Sequence, residues 1–559
     1  MLLALLVLLL AAPAAAHAQI PDPTPDSDAP PAFSGEPWVP QPVFAAPAPR
    51  HPFMAPNQRS NLHSDAFQTD VNAWSGPLGR DTETLSHYEA PGGVCASITF
   101  NAQDQIVTTC VQLRAVRLKL FDARTLEELA SMELPPRPPN PNPFQDFAGG
   151  GYFYLDDQDR AVVSTTDRRV LVIGMKNGEF VVEREYDLTA TLPSGAKIIS
   201  ALPDWAGRIW LATTAGLVVV IDPETGAVKS HDLGEIVQNS FAVGDDGVYI
   251  VSEKAMYRYE VGVDGAPSAT WRKEYENTGE LKPGQVSAGS GTTPTLHGDD
   301  WVSITDNADP MNVVVYRRRD GREICRQPVF EQGASATDNT LIAAGHSIIV
   351  ENNYGYTGPT ATMNGARTEP GIERVDVDAD GRGCRKVWHS DEISPTVVPK
   401  LSLANGLVYV YTQDPEGDPD DPWFLTALDF RTGRTVWKRL TGQGLGFNNN
   451  YAPVTIGPDG TAYVGVLGGL LLVRDSAAPP AVETRPKLRL RARRRGKRVV
   501  ARVKARSGGV VAPVRGARVK VARRVAFTNG RGRARVRSKG RRAVAKKPGY
   551  RRDRLKVPR

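Results

Sequence analysis

Histidine and cysteine are scarce in this chain, at eight and four residues among 559. No two histidines adjoin, so the sequence carries no evident zinc cluster. It also lacks G-x-S-x-G, H-E-x-x-H, G-x-x-x-x-G-K and C-x-x-C. Those absences remove the local signatures of serine hydrolases, zinc peptidases, P-loop enzymes and dithiol oxidoreductases. A site assembled from Asp, Tyr and His on separate segments would leave no such mark. Beyond the first residues, no apolar run approaches the roughly 18 residues that a membrane helix requires, which excludes a multi-span membrane protein. Acids are almost missing from one end. From Pro486 onward, 30 Lys and Arg face a single acid, Asp553, for a net +29. The remainder sets 38 basic against 61 acidic residues, a net −23. Such opposite charges mark two domains.

What is present begins with an apolar stretch, Leu2–Leu10, followed by a small-x-small site, Ala16-His17-Ala18. Residues 1–18 therefore read as a secretory signal, although no Lys or Arg precedes the apolar stretch; an uncleaved anchor is the alternative. Residues 19–56 are rich in Pro, Ala and Asp and read as an extended, disordered linker. Export to the cell envelope or beyond permits disulfides. Cys95 and Cys110 flank an apparent hairpin with a four-residue turn, and the register that opposes Phe100 to Gln105 also opposes the two cysteines. Cys325 and Cys384 fall on the outer strands of consecutive units and form the second expected bridge, with two buried thiols as the alternative.

Between about residues 95 and 475 one phrase repeats: an apolar run, a tight turn, a second apolar run, a gap, a third run, a turn and a polar-alternating run. Units begin near Val94, Gly151, Ile198, Ser240, Thr293, Leu341, Thr396 and Ala452. Four short strands per repeat of about 40–50 residues imply an all-β, eight-bladed β-propeller over residues 57–478, with seven blades as the alternative count. The last unit has only three strands, so residues 82–89 are expected to supply the fourth and close the ring.

The stretch Ala427-Leu-Asp-Phe-Arg-Thr-Gly-Arg-Thr-Val-Trp437 resembles the tryptophan-docking repeat of the quinoprotein (PQQ-like) β-propeller superfamily, over about residues 80–475. The resemblance implies that Thr432-Gly433 makes the turn and that Trp437 packs on the next blade. Trp271 and Trp388 are candidates for the same role, and Cys325 stands where a Trp would be expected. Quinone enzymes of that superfamily use a vicinal disulfide, calcium and a catalytic Asp. This chain has no Cys-Cys pair, and none of its positions matches that Asp, which argues against the quinone. After a short linker, 479–485, residues 486–559 resemble a carboxypeptidase-regulatory-like or bacterial Ig-like β-sandwich. The resemblance rests on P-V-R-G-A-R-V-K-V, T-N-G-R-G-R-A-R-V and V-A-K-K-P-G-Y.

The connections that swell are those that lie on one face of the disc. They carry Asp306, Asn307 and Asp309; Glu351, Asn352, Asn353 and Tyr354; Asp414–Pro422; and Asn448. Enlarged loops on a rigid scaffold collect binding groups. The expected site is thus a polar pocket at the channel mouth, roofed by units five to eight, for a small molecule or glycan. Asp414, Glu416 and Asp418 are oxygen ligands of the type that suits calcium, though Asp, Asn and Pro are also ordinary turn residues. The basic domain would hold the protein on an anionic envelope polymer or lipid surface; export argues against nucleic acid. A binding protein is the leading reading. A hydrolase or lyase using the same pocket, and a structural scaffold, are the alternatives.

Overall fold

A computed structural model describes residues 18–21, 30–90, 92–140, 142–146, 148–298, 300–476, 487–507, 510–547, 550 and 552–558. Most of the expected signal, residues 1–17, and the 479–485 linker lie outside the described residues. Among those described, no helix is long and apolar enough to cross a membrane.

Among the described residues, eight sheets with at least four strands each follow one another from residue 94 to 475, antiparallel except where Val71–Asn72 joins the seventh in parallel. The first is built from Val94–Phe100, Ile106–Val111, Val116–Phe121 and Glu128–Leu134, and the next five repeat that order. The inner strands are nearly wholly buried, as in Ile209–Thr213 and Leu217–Ile221, because neighbouring sheets cover both faces. Outer strands alternate or are exposed, as in Glu179–Asp187. The eighth sheet takes Val454–Ile456, Ala462–Val466 and Gly469–Asp475 from the end of the series and Thr82–Tyr88 from before its start. Thr82 pairs with Asp475 and Tyr88 with Gly469. The eighth sheet also packs on Val94–Phe100 of the first, which closes the ring. The fold is a β-propeller.

Two pairs of neighbouring sheets dock through one device. The Trp388 indole of the sixth sheet lies against Gly433 of the seventh and donates to the Phe430 carbonyl at 2.9 Å. Trp271 of the fourth does the same on Gly321 of the fifth, donating to Arg318 at 2.8 Å. Gly433 has φ +72°, and a Cβ there would come within 2.4 Å of the indole, so only glycine fits. Trp437 of the seventh sheet rests on Gly79, just ahead of the strand lent to the eighth. Between the fifth and sixth sheets the tryptophan position is Cys325, and a covalent bond to Cys384 replaces the indole contact. Cys95 and Cys110 are likewise bonded, as opposed residues of one hairpin, although the register differs from the expected one: Phe100 pairs with Ile106 rather than Gln105, and a β-bulge between Cys95 and Ser97 brings the cysteines opposite each other.

The segment read as a disordered linker is instead part of the folded body wherever it is described. Phe33–Gly35 adds an edge strand to the seventh sheet beside Thr435–Gln443. The Val43 N–H donates to Leu403 and the Trp38 indole to the Asn405 carbonyl. Ile20 is buried in the same core. Further on, residues 59–72 cross one end of the channel. Arg59, Ser60, Ala66, Phe67, Thr69, Asp70 and Asn72 offer carbonyls to the innermost strands of the first, second, fourth, fifth, sixth and seventh sheets. Those strand ends would otherwise carry orphan N–H groups at the axis, and the crossing chain satisfies them.

The basic region forms two sheets that meet over a core of Leu488, Val499, Val503, Val519, Val536 and neighbours. Its one acid, Asp553, accepts the Leu490 N–H at 2.7 Å.

Candidate functional site

The crossing segment turns the channel into a cup. Leu62 forms its floor, and beneath the floor lies a sealed polar knot. Lys400, on the first strand of the seventh sheet, bonds Asp70 and donates to the Leu62 carbonyl at 2.6 Å. His63 Nδ1 lies 3.0 Å from Asp70, and its Nε2 lies 3.3 Å from the Thr340 hydroxyl. Thr–His–Asp in that order resembles a hydrolytic relay. Here all three are buried and Asp70 is already neutralised by Lys400, so the order serves to anchor the plug. Burial lowers the His63 pKa, which keeps the ring neutral. Nearby Asp65, buried and bonded to Thr69 at 2.6 Å, is raised to about 7 by desolvation.

Above the floor is a cleft of about 90 Å³, measured as the space open to the centre of a water-sized sphere. Apolar walls come from Val94, Val111, Phe144, Val398 and Pro453; Tyr152, Asn339, Asn450 and Tyr451 are the polar groups that converge on it. Arg137 and Asp146 stand at the rim, paired at 3.4 Å, with Lys197 also on Asp146 at 2.8 Å. A mostly apolar cup with a few fixed polar groups is the usual form of a small-molecule site.

The residues expected from sequence sit around this cleft rather than in it. Glu351 is fully buried and accepts from Ser394 at 2.8 Å, from Asn353 at 3.1 Å and from Asn339. Desolvation raises its pKa to about 8, so it stands protonated at neutral pH. Asn353 also accepts the Asp338 N–H, which fixes the connection that delivers Asn339. Asn352 ties the backbone of Ala334, Ala336 and Pro370, whereas Tyr354 is only partly buried. Asn448 bridges Tyr356 and Thr362, locking two loops together. Asp306 is buried and accepts three bonds from Ala308 and Asn312; its pKa rises to about 6 through burial. Asn307 holds Asn277, and Asp309 accepts the Gly333 N–H at 2.7 Å. These residues brace the loops of the face; the cleft itself is bordered by the first, second, sixth, seventh and eighth sheets.

Asp414 and Asp418 each accept the N–H two residues on, and Glu416 is exposed. Those turns point the three carboxylates along the surface, and among the described residues they form no metal-holding group. The groups of three that do occur lie where the first and eighth sheets meet: Glu89 beside the Cys95–Cys110 disulfide, and His87, Glu89 and Glu128 with Lys119 between the acids.

Sequence reasoning missed Tyr152, Asn339, Asn450, Tyr451 and the Leu62 floor. One signal was available. The connection from Leu134 to Tyr154, which supplies Arg137, Phe144 and Asp146, is as long as the loops singled out on later units.

No family model matches the chain. A search of curated proteins finds an uncharacterised protein of Archaeoglobus fulgidus, 30% identical over 318 residues, half of this chain and 61% of that protein. The chain thus spans less than two thirds of that relative. Among solved structures it is similar to BamB from Moraxella catarrhalis, with 15% identity and a TM-score of 0.39, covering 64% of this chain and 93% of that one. It is also similar to the computationally designed protein Ika8, with 12% identity and a TM-score of 0.43, covering 69% and 97%.

Proposed function

We propose that this protein is an exported β-propeller that binds a small molecule in the channel-mouth cleft, and that its basic domain holds it on an anionic surface of the cell envelope. The observation that carries the first part is the cup: an apolar cleft closed below by Leu62, with Tyr152, Asn339, Asn450 and Tyr451 converging on it. Neither a hydroxyl nucleophile with an accessible base nor a metal-holding group borders it among the described residues, which favours binding over catalysis. The test is a thermal-shift screen of small polar organics. Hits are expected to vanish in Leu62→Trp, which fills the floor; hits that survive it would place binding elsewhere.

The tether reading rests on register. In the sheet of Leu488–Arg495, Arg498–Ser507 and Arg533–Arg537, Arg491 opposes Arg502, which opposes Arg533. Arg493, Arg498 and Arg535 extend the same face around Val500. Like charges directly opposed repel, and an anionic partner would relieve them. Retention on vesicles of anionic lipid is expected to fall steeply with salt and to be lost when Arg491, Arg502 and Arg533 become Glu. Retention on an acidic glycan matrix alone would assign the face to a polymer instead. Membership of the PQQ-like superfamily, without the quinone, and an Ig-like class for the basic sandwich are parts of the same reading.

A further inference from the structure

The basic domain has a second outward face, and its chemistry differs from that of the arginine face. In the sheet of Arg524–Phe527, Arg518–Val521, Arg542–Lys546 and Asp553–Lys556, alternate residues turn inward: Val519, Val521, Ala543 and Ala545 are wholly buried in the core. The residues between them turn outward. Strand register sets out two rows of that face. Phe527 opposes Arg518, which opposes Lys546. Val525 opposes Lys520, which opposes Val544 and then Arg554. Neither row holds an acid, since Asp553 pairs with the inward Ala545 and accepts the Leu490 N–H.

Apolar side chains stay open here. Phe527 is 65% exposed and Val525 39%, and they are the two large apolar side chains left exposed among the described residues of the domain. Scattered singly, such residues are ordinary. These two stand side by side on one face of an edge strand, with a cation opposite each. The same strand packs beside Arg533–Arg537, the edge of the arginine sheet. Phe527 and Val525 thus stand at the rim where the two cationic faces meet.

Resting on the reading of the basic domain as a tether, we infer that its partner is an anionic lipid bilayer docked at this rim, with Phe527 and Val525 entering the boundary between headgroups and acyl chains while Arg518, Lys520 and Arg533 hold the phosphates around them. The arginine face alone would suit any polyanion. An acidic polymer offers charge along a hydrated chain and nothing apolar to cover a ring. A bilayer offers phosphate and hydrocarbon within about 10 Å of each other, which matches a basic surface carrying a Phe and a Val between its charges. A second copy of the domain fits less well, because it would bring the same cations against one another.

The experiment compares retention of the full chain on vesicles of phosphatidylglycerol and phosphatidylcholine with retention on a dextran sulfate matrix. Phe527→Ser is expected to weaken vesicle binding about tenfold, through the loss of a ring's transfer from water to hydrocarbon. It is expected to leave matrix retention unchanged and, because the ring is exposed, to melt with the parent. Phe527→Trp is expected to bind vesicles at least as tightly as the parent. In about 1 M salt, where charge is screened, the parent should keep part of its vesicle binding and Phe527→Ser should be released. Equal vesicle binding by the parent and Phe527→Ser would overturn the insertion while the tether stands. Retention on dextran sulfate with none on vesicles would also overturn it and assign the tether to a polymer. Retention on neither would sink both readings. Self-association of the parent in light scattering without vesicles, removed by Phe527→Ser, would assign the rim to a second copy instead.

Discussion

Lys400 and Asp70 pair in full burial across 330 residues of chain, one on the first strand of the seventh sheet and the other on the segment that crosses the channel. Burial draws the lysine pKa down and the facing carboxylate pushes it back up. The pair, with His63 on its other side, is what fastens the floor of the cup to the wall.

Removing one partner of such a pair strands the other in a dry interior. Lys400→Met is expected to cost about 3–5 kcal/mol in urea unfolding, because Asp70 is left uncompensated. The double variant Lys400→Met, Asp70→Asn is expected to regain much of that loss. An additive outcome would mean that the two side chains act independently.

The bond between Cys325 and Cys384 closes a loop of 59 residues across two sheets, whereas Cys95–Cys110 spans 15 within one hairpin. Chain-entropy arguments assign about 4 kcal/mol to the longer loop and about 3 to the shorter. Cys325→Ser with Cys384→Ser should therefore lower the denaturant midpoint more than the corresponding Cys95, Cys110 pair of substitutions. Guanidinium titrations of the two double variants decide this.

Gly433→Val tests the docking device. The new side chain would require φ +72° and would meet the Trp388 ring. A loss of roughly 2–4 kcal/mol is expected from strain and overpacking together. Gly178, whose φ of +84° faces open space, is the control: valine there carries the backbone strain but no clash and should cost less.

Glu351 supplies a pH test. Its folded pKa of about 8 lies above the ordinary glutamate value, so the folded state holds a proton that the unfolded state releases. Stability from this group is complete below about pH 4.5 and is lost as pH rises through about 8. Glu351→Gln mimics the protonated form. It should match the parent near pH 5 and melt several degrees above it at pH 9, as calorimetry at the two pH values would read. A constant gap would contradict the raised pKa.

Much of the scaffold is legible in the residues because its signals are local. Apolar runs parted by Gly-containing turns, such as those leading to Leu217–Ile221, mark inner strands; the hairpin of Cys95 and Cys110 is legible too, but not the β-bulge that, with Phe100 opposite Ile106, brings the two cysteines into register. The strand lent by residues 82–88 follows from counting a missing edge. Residues 30–56 defeat the same reasoning. Their Pro and Ala show no apolar period, and what orders them is a set of backbone bonds to strands hundreds of residues away. At the site, loop length points to the right face. Which loop residue turns inward depends on the crossing chain, however, and that is why Glu351 emerges as a brace and Asn339 as the lining group. Asp338, inside Thr337-Asp-Asn-Thr340, reads as an ordinary turn aspartate, yet the structure buries it.

The sheet that joins Thr82–Tyr88 to Gly469–Asp475 imposes an order of events on synthesis. The early strand leaves the ribosome with no partner and waits until the last strand of the series has been made. Throughout that interval the nascent chain carries two open edges and an unsealed core, the state most exposed to aggregation. A holding partner during translation, or slow elongation through the final unit, would act on that waiting strand.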